Sequence, residues 1–157
     1  MCYNLTAPKR YSSKTQGRDD LKLPMETDYC FRIMYVLAAK NARCDTRELS
    51  EKCGISQQTA LKITRKLLCA GLVESKQGTG GGYSLSRKPE EIRLIDIYSA
   101  SDGGMKITNC IDEDYDCSRM HCEKDNCCFH RLFCSLNNEI AKKLSGITLD
   151  DAVKNKF

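Results

Sequence analysis

The chain has 157 residues, 11 of them cysteine, a formal charge of +4 and a hydrophobic share of 41%, the size and composition of one globular domain with a short appended segment. No apolar run approaches the ~20 residues needed to cross a bilayer, and residues 1–20 lack the apolar stretch of a secretion signal, so a cytoplasmic protein without a membrane partner is expected. Thiols in that compartment are kept reduced, which argues against a disulfide framework and makes metal binding the first reading.

The charge is unevenly spread. Residues 25–88 hold 11 Lys and Arg against six Asp and Glu, whereas residues 89–135 hold five against ten. A basic first half suits a polyanion and an acidic second half would be repelled by one, so only the first half should touch nucleic acid.

Residues 1–20 are polar and without periodicity and are expected to form a disordered tail. Residues 21–100 are expected to form a DNA-binding unit. Its first helix runs from about Glu26 to Lys40, with Tyr29, Ile33, Val36 and Leu37 at helical spacing and Cys30, Met34 and Ala38 widening the stripe. Asp45 and Glu48 form a capping-box pattern for a second helix with Leu49 and Cys53 inside, and Gly54 ends it.

Ser56 caps a third helix to about Ala70, with Ala60, Ile63, Leu67 and Leu68 as its buried face and Gly71 as its terminator. Its other side carries Gln57, Gln58, Lys62, Arg65 and Lys66. Two helices joined by a tight turn, the second with amides at its start and cations along one face, read as a helix-turn-helix. Ser56, Gln57, Gln58, Thr59 and Lys62 are candidates for the major groove, because amides pair with adenine and lysine with guanine. Arg65, Lys66 and Lys76 are candidate phosphate contacts.

Leu72 and Val73 start a strand, Gly78 to Gly82 form a glycine-rich turn, and Tyr83-Ser84-Leu85 returns as a strand. A hairpin directly after a recognition helix is a wing, and Lys76, Gln77, Gly78, Gly80, Gly81, Gly82 and Tyr83 are expected to approach a DNA backbone. A nucleotide-binding loop would need a helix after the glycines, and here a strand follows. Ile92, Leu94, Ile95 and Ile97 are expected to complete the sheet edge and start a short helix ending near Asp102.

Residues 101–130 are expected to form a cysteine-rich, cluster-binding loop: Cys110, Cys117, Cys122, Cys127 and Cys128 lie in it, and with Cys134 just beyond, six cysteines fall within 25 residues. Soft thiolates converging from a pliable loop suit an iron–sulfur cluster, and Cys110-x6-Cys117-x4-Cys122-x4-Cys127 lacks the paired short spacing of zinc ribbons. Zinc and metal-free thiol chemistry stay open. Cys128 is an alternative to its neighbour Cys127. His130, three residues after Cys127, shares its helical face and is a ligand candidate. Cys134 reads as helix packing, and Cys30, Cys53 and Cys69 as small buried hydrophobes.

Residues 127–157 are expected to hold a long helix and a C-terminal turn. Phe129, Phe133, Leu136, Ile140 and Leu144 form a seam for pairing with a second copy of the helix in a twofold homodimer. Thr148 with Asp151 caps the final turn. No catalytic triad, phosphate loop or paired-carboxylate motif stands out, so no enzyme is expected. The fold class expected is mainly α with a small β-hairpin wing: a winged helix-turn-helix with a long C-terminal dimerisation helix.

The run from Leu21 to Cys30, the Gly-Thr-Gly-Gly-Gly-Tyr wing from Gly78 to Tyr83, and the cysteine loop before a long helix resemble the Rrf2 family of winged-helix transcription regulators over about residues 21–153. The resemblance implies a DNA-binding regulator, a repressor, that responds to redox state, nitric oxide or iron–sulfur status. In some members a two-iron cluster is held by three cysteines and a histidine, and the positions that correspond are Cys110, Cys127 and His130. The loop here is longer and offers both Cys117 and Cys122 where those members have one cysteine. In others a four-iron cluster takes an aspartate from the first helix of the partner chain, where Asp28 stands. The alternative implied by the family's cluster-free members is a thiol-based regulator that docks to a metabolic enzyme.

Overall fold

Residues 23–78, 80–102, 106–112, 114–115 and 127–157 are described by a computed structural model of the chain. The expected tail, Thr79, Cys117 and Cys122 lie outside the described residues.

Helix α1 (Met25–Lys40) starts behind Pro24 and ends at Asn41, which adopts a left-handed conformation and donates its N–H to the Leu37 carbonyl. The face it buries runs through Cys30, Ile33, Met34, Val36, Leu37 and Ala38, as its periodicity predicts, with Tyr29 at the margin. Helix α2 (Thr46–Cys53) is capped by Asp45, whose side chain accepts the Glu48 N–H at 2.7 Å. The expected capping box is only half made. The Glu48 carboxylate pairs with Lys40 at 2.6 Å and Lys52 at 2.9 Å across the helix surface.

Helix α3 (Gln57–Cys69) is capped by Ser56, which accepts the Thr59 N–H at 3.1 Å. It buries Ala60, Ile63, Thr64 and Leu67. Leu68 and Cys69, both expected inside, are exposed, because each further residue turns the side chain by ~100° away from Leu67. Thr64 takes the inner place since its hydroxyl donates to the Ala60 carbonyl at 2.8 Å, which removes the cost of burying a polar group. At the end of α3 the Gly71 N–H reaches the Leu68 carbonyl and the Leu72 N–H the Leu67 carbonyl, a Schellman closure that turns the chain into the hairpin.

Strands β1 (Val73–Lys76) and β2 (Gly82–Leu85) pair antiparallel, with Val73 opposite Leu85 and Lys76 opposite Gly82. Cys44, in the α1–α2 connection, adds a bridge to Tyr83 through bonds of 2.9 and 2.8 Å. The segment from Ile92 does not extend this sheet as expected. Arg93 instead forms a bridge with Thr148: Leu94 donates to the Ile147 carbonyl and Leu149 to that of Ile92.

Helix α4 (Leu94–Asp102) packs on α1 through Ile97, Tyr98 and Ser101, all buried. The Ser101 hydroxyl meets that of Thr27 at 2.8 Å inside the core. Helix α5 (Cys128–Ser145) is 18 residues long and lies along α4, yet none of its residues is buried. Helix α6 (Leu149–Val153) carries the complete capping box expected of Thr148 and Asp151, and Leu149 inserts into the core against α1. The segment 127–157 is thus divided: α5 stands on the surface and α6 belongs to the core of the winged domain. Among the described residues no helix is long and apolar enough to cross a membrane.

Candidate nucleic-acid interface and cysteine site

The capped start of α3 presents Ser56, Gln57 and Gln58 to solvent, with the Thr59 hydroxyl 2.8 Å from that of Ser56. Lys62 and Arg65 are also exposed. Lys66 differs. Its ammonium pairs with Glu26 of α1 and donates to the Ser101 carbonyl at 2.9 Å, leaving its side chain only 30% exposed, against 60% for Lys62. Glu26 accepts from both lysines, first Lys62 and then Lys66, and these bonds hold its carboxyl below the usual carboxylate range. The helix therefore shows two exposed cations, Lys62 and Arg65, and turns a third toward α1 and α4.

Lys76, Gln77, Gly78 and Gly80 are exposed at the wing, and Gly81, Gly82 and Tyr83 are half-buried behind them. Two of these glycines are required by the chain itself. A Cβ at Gly81 would stand 2.4 Å from the Lys76 carbonyl oxygen, and one at Gly82, where φ is +130°, would stand 2.6 Å from that of Cys44. Arg43, which the sequence reading missed, braces the wing: it donates to the Gly82 carbonyl at 3.3 Å and pairs with Glu74 at 2.6 Å. Nothing in the local pattern around Arg43 marks it, because its bonds span 31 and 39 residues.

The cysteine site is assembled from a single 3-10 turn, Asn109–Ile111, lying against α5. The His130 Nδ1 lies 2.9 Å from the Cys110 carbonyl oxygen and its Nε2 lies 3.5 Å from the Cys134 sulfur. A carbonyl can only accept, so Nδ1 carries a proton, and in the neutral ring Nε2 is the nitrogen that presents a lone pair. The Thr108 hydroxyl donates to the Cys110 sulfur at 3.7 Å, and the Ile107 N–H to Asn137 of α5 at 3.4 Å, both fixing this turn. Cys127 is the half-buried residue preceding α5 and Cys128 is exposed. Asp28 pairs with Arg32 of its own helix at 2.6 Å. Among the described residues no group of three or more His, Cys, Asp or Glu side chains converges as a metal site. His130 and Cys134 are nonetheless brought together as a pair of borderline and soft donors, of the kind that suit iron or zinc, with the Cys110 main chain holding the ring. Cys44 and Cys53 are core thiols whose ionisation burial opposes, that of Cys53 pushed up to about 11.

The apolar face of α5 is open. Phe129, Leu132 and Leu136 are 54%, 52% and 40% exposed, while Phe133, Ile140 and Leu144 are half-buried. Leu132 was absent from the seam read in the sequence, although it stands three residues from Phe129 and four from Leu136 on one helical face.

A family profile described as "Rrf2: Iron-dependent Transcriptional regulator" matches residues 23–155. The chain is 36% identical over 110 residues to the HTH-type transcriptional regulator IscR of Pectobacterium atrosepticum, covering 69% of this chain and 63% of that protein. It is 28% identical over 145 residues to the HTH-type transcriptional regulator NsrR of Bacillus subtilis, covering 87% and 92%. The solved structure of CymR, the global cysteine regulator of B. subtilis, superposes with a TM-score of 0.68 at 23% identity, over 87% of this chain and 98% of that one, a likeness of fold.

Proposed function

The chain belongs to the Rrf2 family of winged-helix transcriptional regulators, and on that footing we propose that it is a homodimer whose hold on DNA is set by an iron–sulfur cluster bound in its cysteine segment. It is a regulator and not an enzyme, as are its relatives. The observation that supports the cluster reading is the hydrogen bond from the His130 ring to the Cys110 main-chain carbonyl, which anchors the turn bearing Cys110 beside the first turn of α5, 20 positions further along the chain. Cys110, Cys117, Cys122 and Cys127, with Cys128 as the alternative to Cys127, supply thiolates for a two-iron or four-iron cluster, and His130 or the partner chain's counterpart of Asp28 completes the set. When bound, such a cluster supplies a centre that reacts with oxidants and nitric oxide.

The chain's own residues connect that centre to DNA. Ser101, at the end of α4 and just before the cysteine segment, accepts from Lys66 of α3, while Glu26 holds Lys66 and Lys62. Order in the cysteine segment therefore bears on the end of α4 and, through Lys66, on the recognition helix. A signal acts only if the two states of the segment differ in affinity for DNA. Gln57, Gln58 and Lys62 reach for base edges, and Arg65, Lys76 and the backbone of the wing for phosphates. Pairing of α5 with its copy through Phe129, Leu132 and Leu136 covers the open apolar face and presents two recognition helices to a palindromic operator.

Purification without oxygen, with iron and sulfide analysis and footprinting on an operator fragment, tests this reading. Bound iron and sulfide, with DNA affinity that changes when Cys110, Cys117, Cys122 and Cys127 are replaced by Ser, is the expected result. Protein free of iron and sulfide that grips the operator identically after those replacements overturns it and favours a cluster-free regulator that docks to a metabolic enzyme.

A further inference from the structure

Helix α5 carries a second thiol at the cysteine site, on the opposite side of the His130 ring from Cys110. His130 and Cys134 stand four residues apart and so share one helical face. The Cys110 carbonyl fixes the ring by accepting from Nδ1, the outer-shell arrangement typical of a histidine that ligates through its other nitrogen. The lone pair on Nε2 is then directed at the Cys134 sulfur, 3.5 Å away. Metal–nitrogen and metal–sulfur bonds of about 2.0 and about 2.3 Å at a tetrahedral angle place the two donor atoms ~3.5 Å apart. The separation already present is the bite of a single tetrahedral metal ion.

We propose that Cys134 is a metal ligand, binding together with His130 Nε2 to one thiophilic divalent transition-metal ion; on the reading above, that ion is an iron of the cluster. The pair is a two-donor chelate on one helix turn, comparable in spacing to the paired histidines of helical zinc sites. Before metal binds, the thiol S–H donates to Nε2. On binding, the S–H bond breaks, the proton passes to solvent, sulfur and Nε2 each form a bond to the metal, and Nδ1 keeps its proton on the Cys110 carbonyl. No electrons are transferred. Cys134 is half-buried on a surface helix, and its replacement leaves the winged core untouched.

Cobalt(II) titration of the full-length, cluster-free protein under anaerobic conditions tests the pair without depending on cluster assembly. Cys134→Ser and Cys134→Ala are each expected to weaken cobalt binding by at least about tenfold and to reduce the sulfur-to-cobalt charge-transfer band. In the wild-type protein, cobalt is expected to protect Cys134 from alkylation, read by mass spectrometry without any substitution. Wild-type affinity and band in Cys134→Ser, including the case in which only Cys134→Ala is impaired, would reduce Cys134 to a hydrogen-bond donor and overturn the proposal, as would unprotected Cys134. Iron and sulfide analysis of the same preparations separates this from the cluster reading: a wild type that binds cobalt through Cys134 but assembles no cluster retains the ligand pair and loses the cluster.

Discussion

Lys66 of the recognition helix donates to the main-chain carbonyl of Ser101, 35 residues further along the chain, at 2.9 Å. The same ammonium pairs with Glu26, so one side chain ties α3 to the first turn of α1 and the last turn of α4. Arg65, one residue earlier, points to solvent. Two adjacent cations on one helix therefore have different work to do.

That difference is measurable through salt. Each phosphate contact contributes about one unit to the slope of log affinity against log salt. Arg65→Ala is expected to lower the slope by about one unit, whereas Lys66→Ala should leave the slope in place and lower the unfolding midpoint. Fluorescence anisotropy on an operator duplex across a salt series decides it. A slope change in Lys66→Ala equal to that of Arg65→Ala would show that Lys66 leaves Ser101 for a phosphate on binding.

Glu48 gives a pH signature of stability. Hydrogen bonds from Lys40 and then Lys52 hold its carboxyl down to about 2, against an ordinary value of 4.5. A depressed carboxyl stabilises the fold above its unfolded value and loses that contribution as pH falls from 4.5 toward about 2. The pairs are partly solvent-exposed, so the contribution is about 1 kcal/mol or less and shrinks with salt. Urea unfolding at pH 7 and pH 3 should show a smaller difference for Glu48→Gln than for the wild type. Identical pH dependence in the two proteins would refute the assignment.

The wing glycines separate into two kinds. Gly82→Ala forces a side chain into the Cys44 carbonyl at a φ of +130°, and should cost about 2–4 kcal/mol and expose the Tyr83 amide to exchange. Gly80→Ala meets open space at a φ of +74° and should cost only the left-handed penalty of about 1–2 kcal/mol. Denaturant midpoints and amide exchange of the two variants check the order, and equal losses would contradict it.

The open face of α5 predicts an association defect without a folding defect. Leu136→Asp puts a charge beside Phe129 and Leu132 on a face of which nothing is buried within one chain. Sedimentation should shift from dimer to monomer while helicity and the unfolding of the winged core are preserved. A dimer that persists unchanged in Leu136→Asp and in Leu132→Asp would place the pairing surface elsewhere.

Local chemistry made much of this protein legible in its sequence. Asp45, Ser56 and Thr148 accept the N–H three residues on, as expected of them, and Gly54 and Gly71 stand at positive φ just past the helices they terminate. Caps, hairpin glycines and helical periodicity act within a turn or two of chain, so the residues themselves carry them. Leu68 and Cys69 were misplaced because an apolar residue at the margin of a stripe is buried only if another element covers it. What depended on tertiary structure was every contact over long sequence separation: Glu26 with Lys62 and Lys66, Arg43 with the wing, Arg93 with Thr148, and His130 with the Cys110 carbonyl. Composition could announce that sulfur was abundant near residue 110. Only the packing of a short turn against α5 decided which nitrogen of His130 is held and which sulfur it faces, because a ring's orientation is set by groups that the chain brings together after it folds.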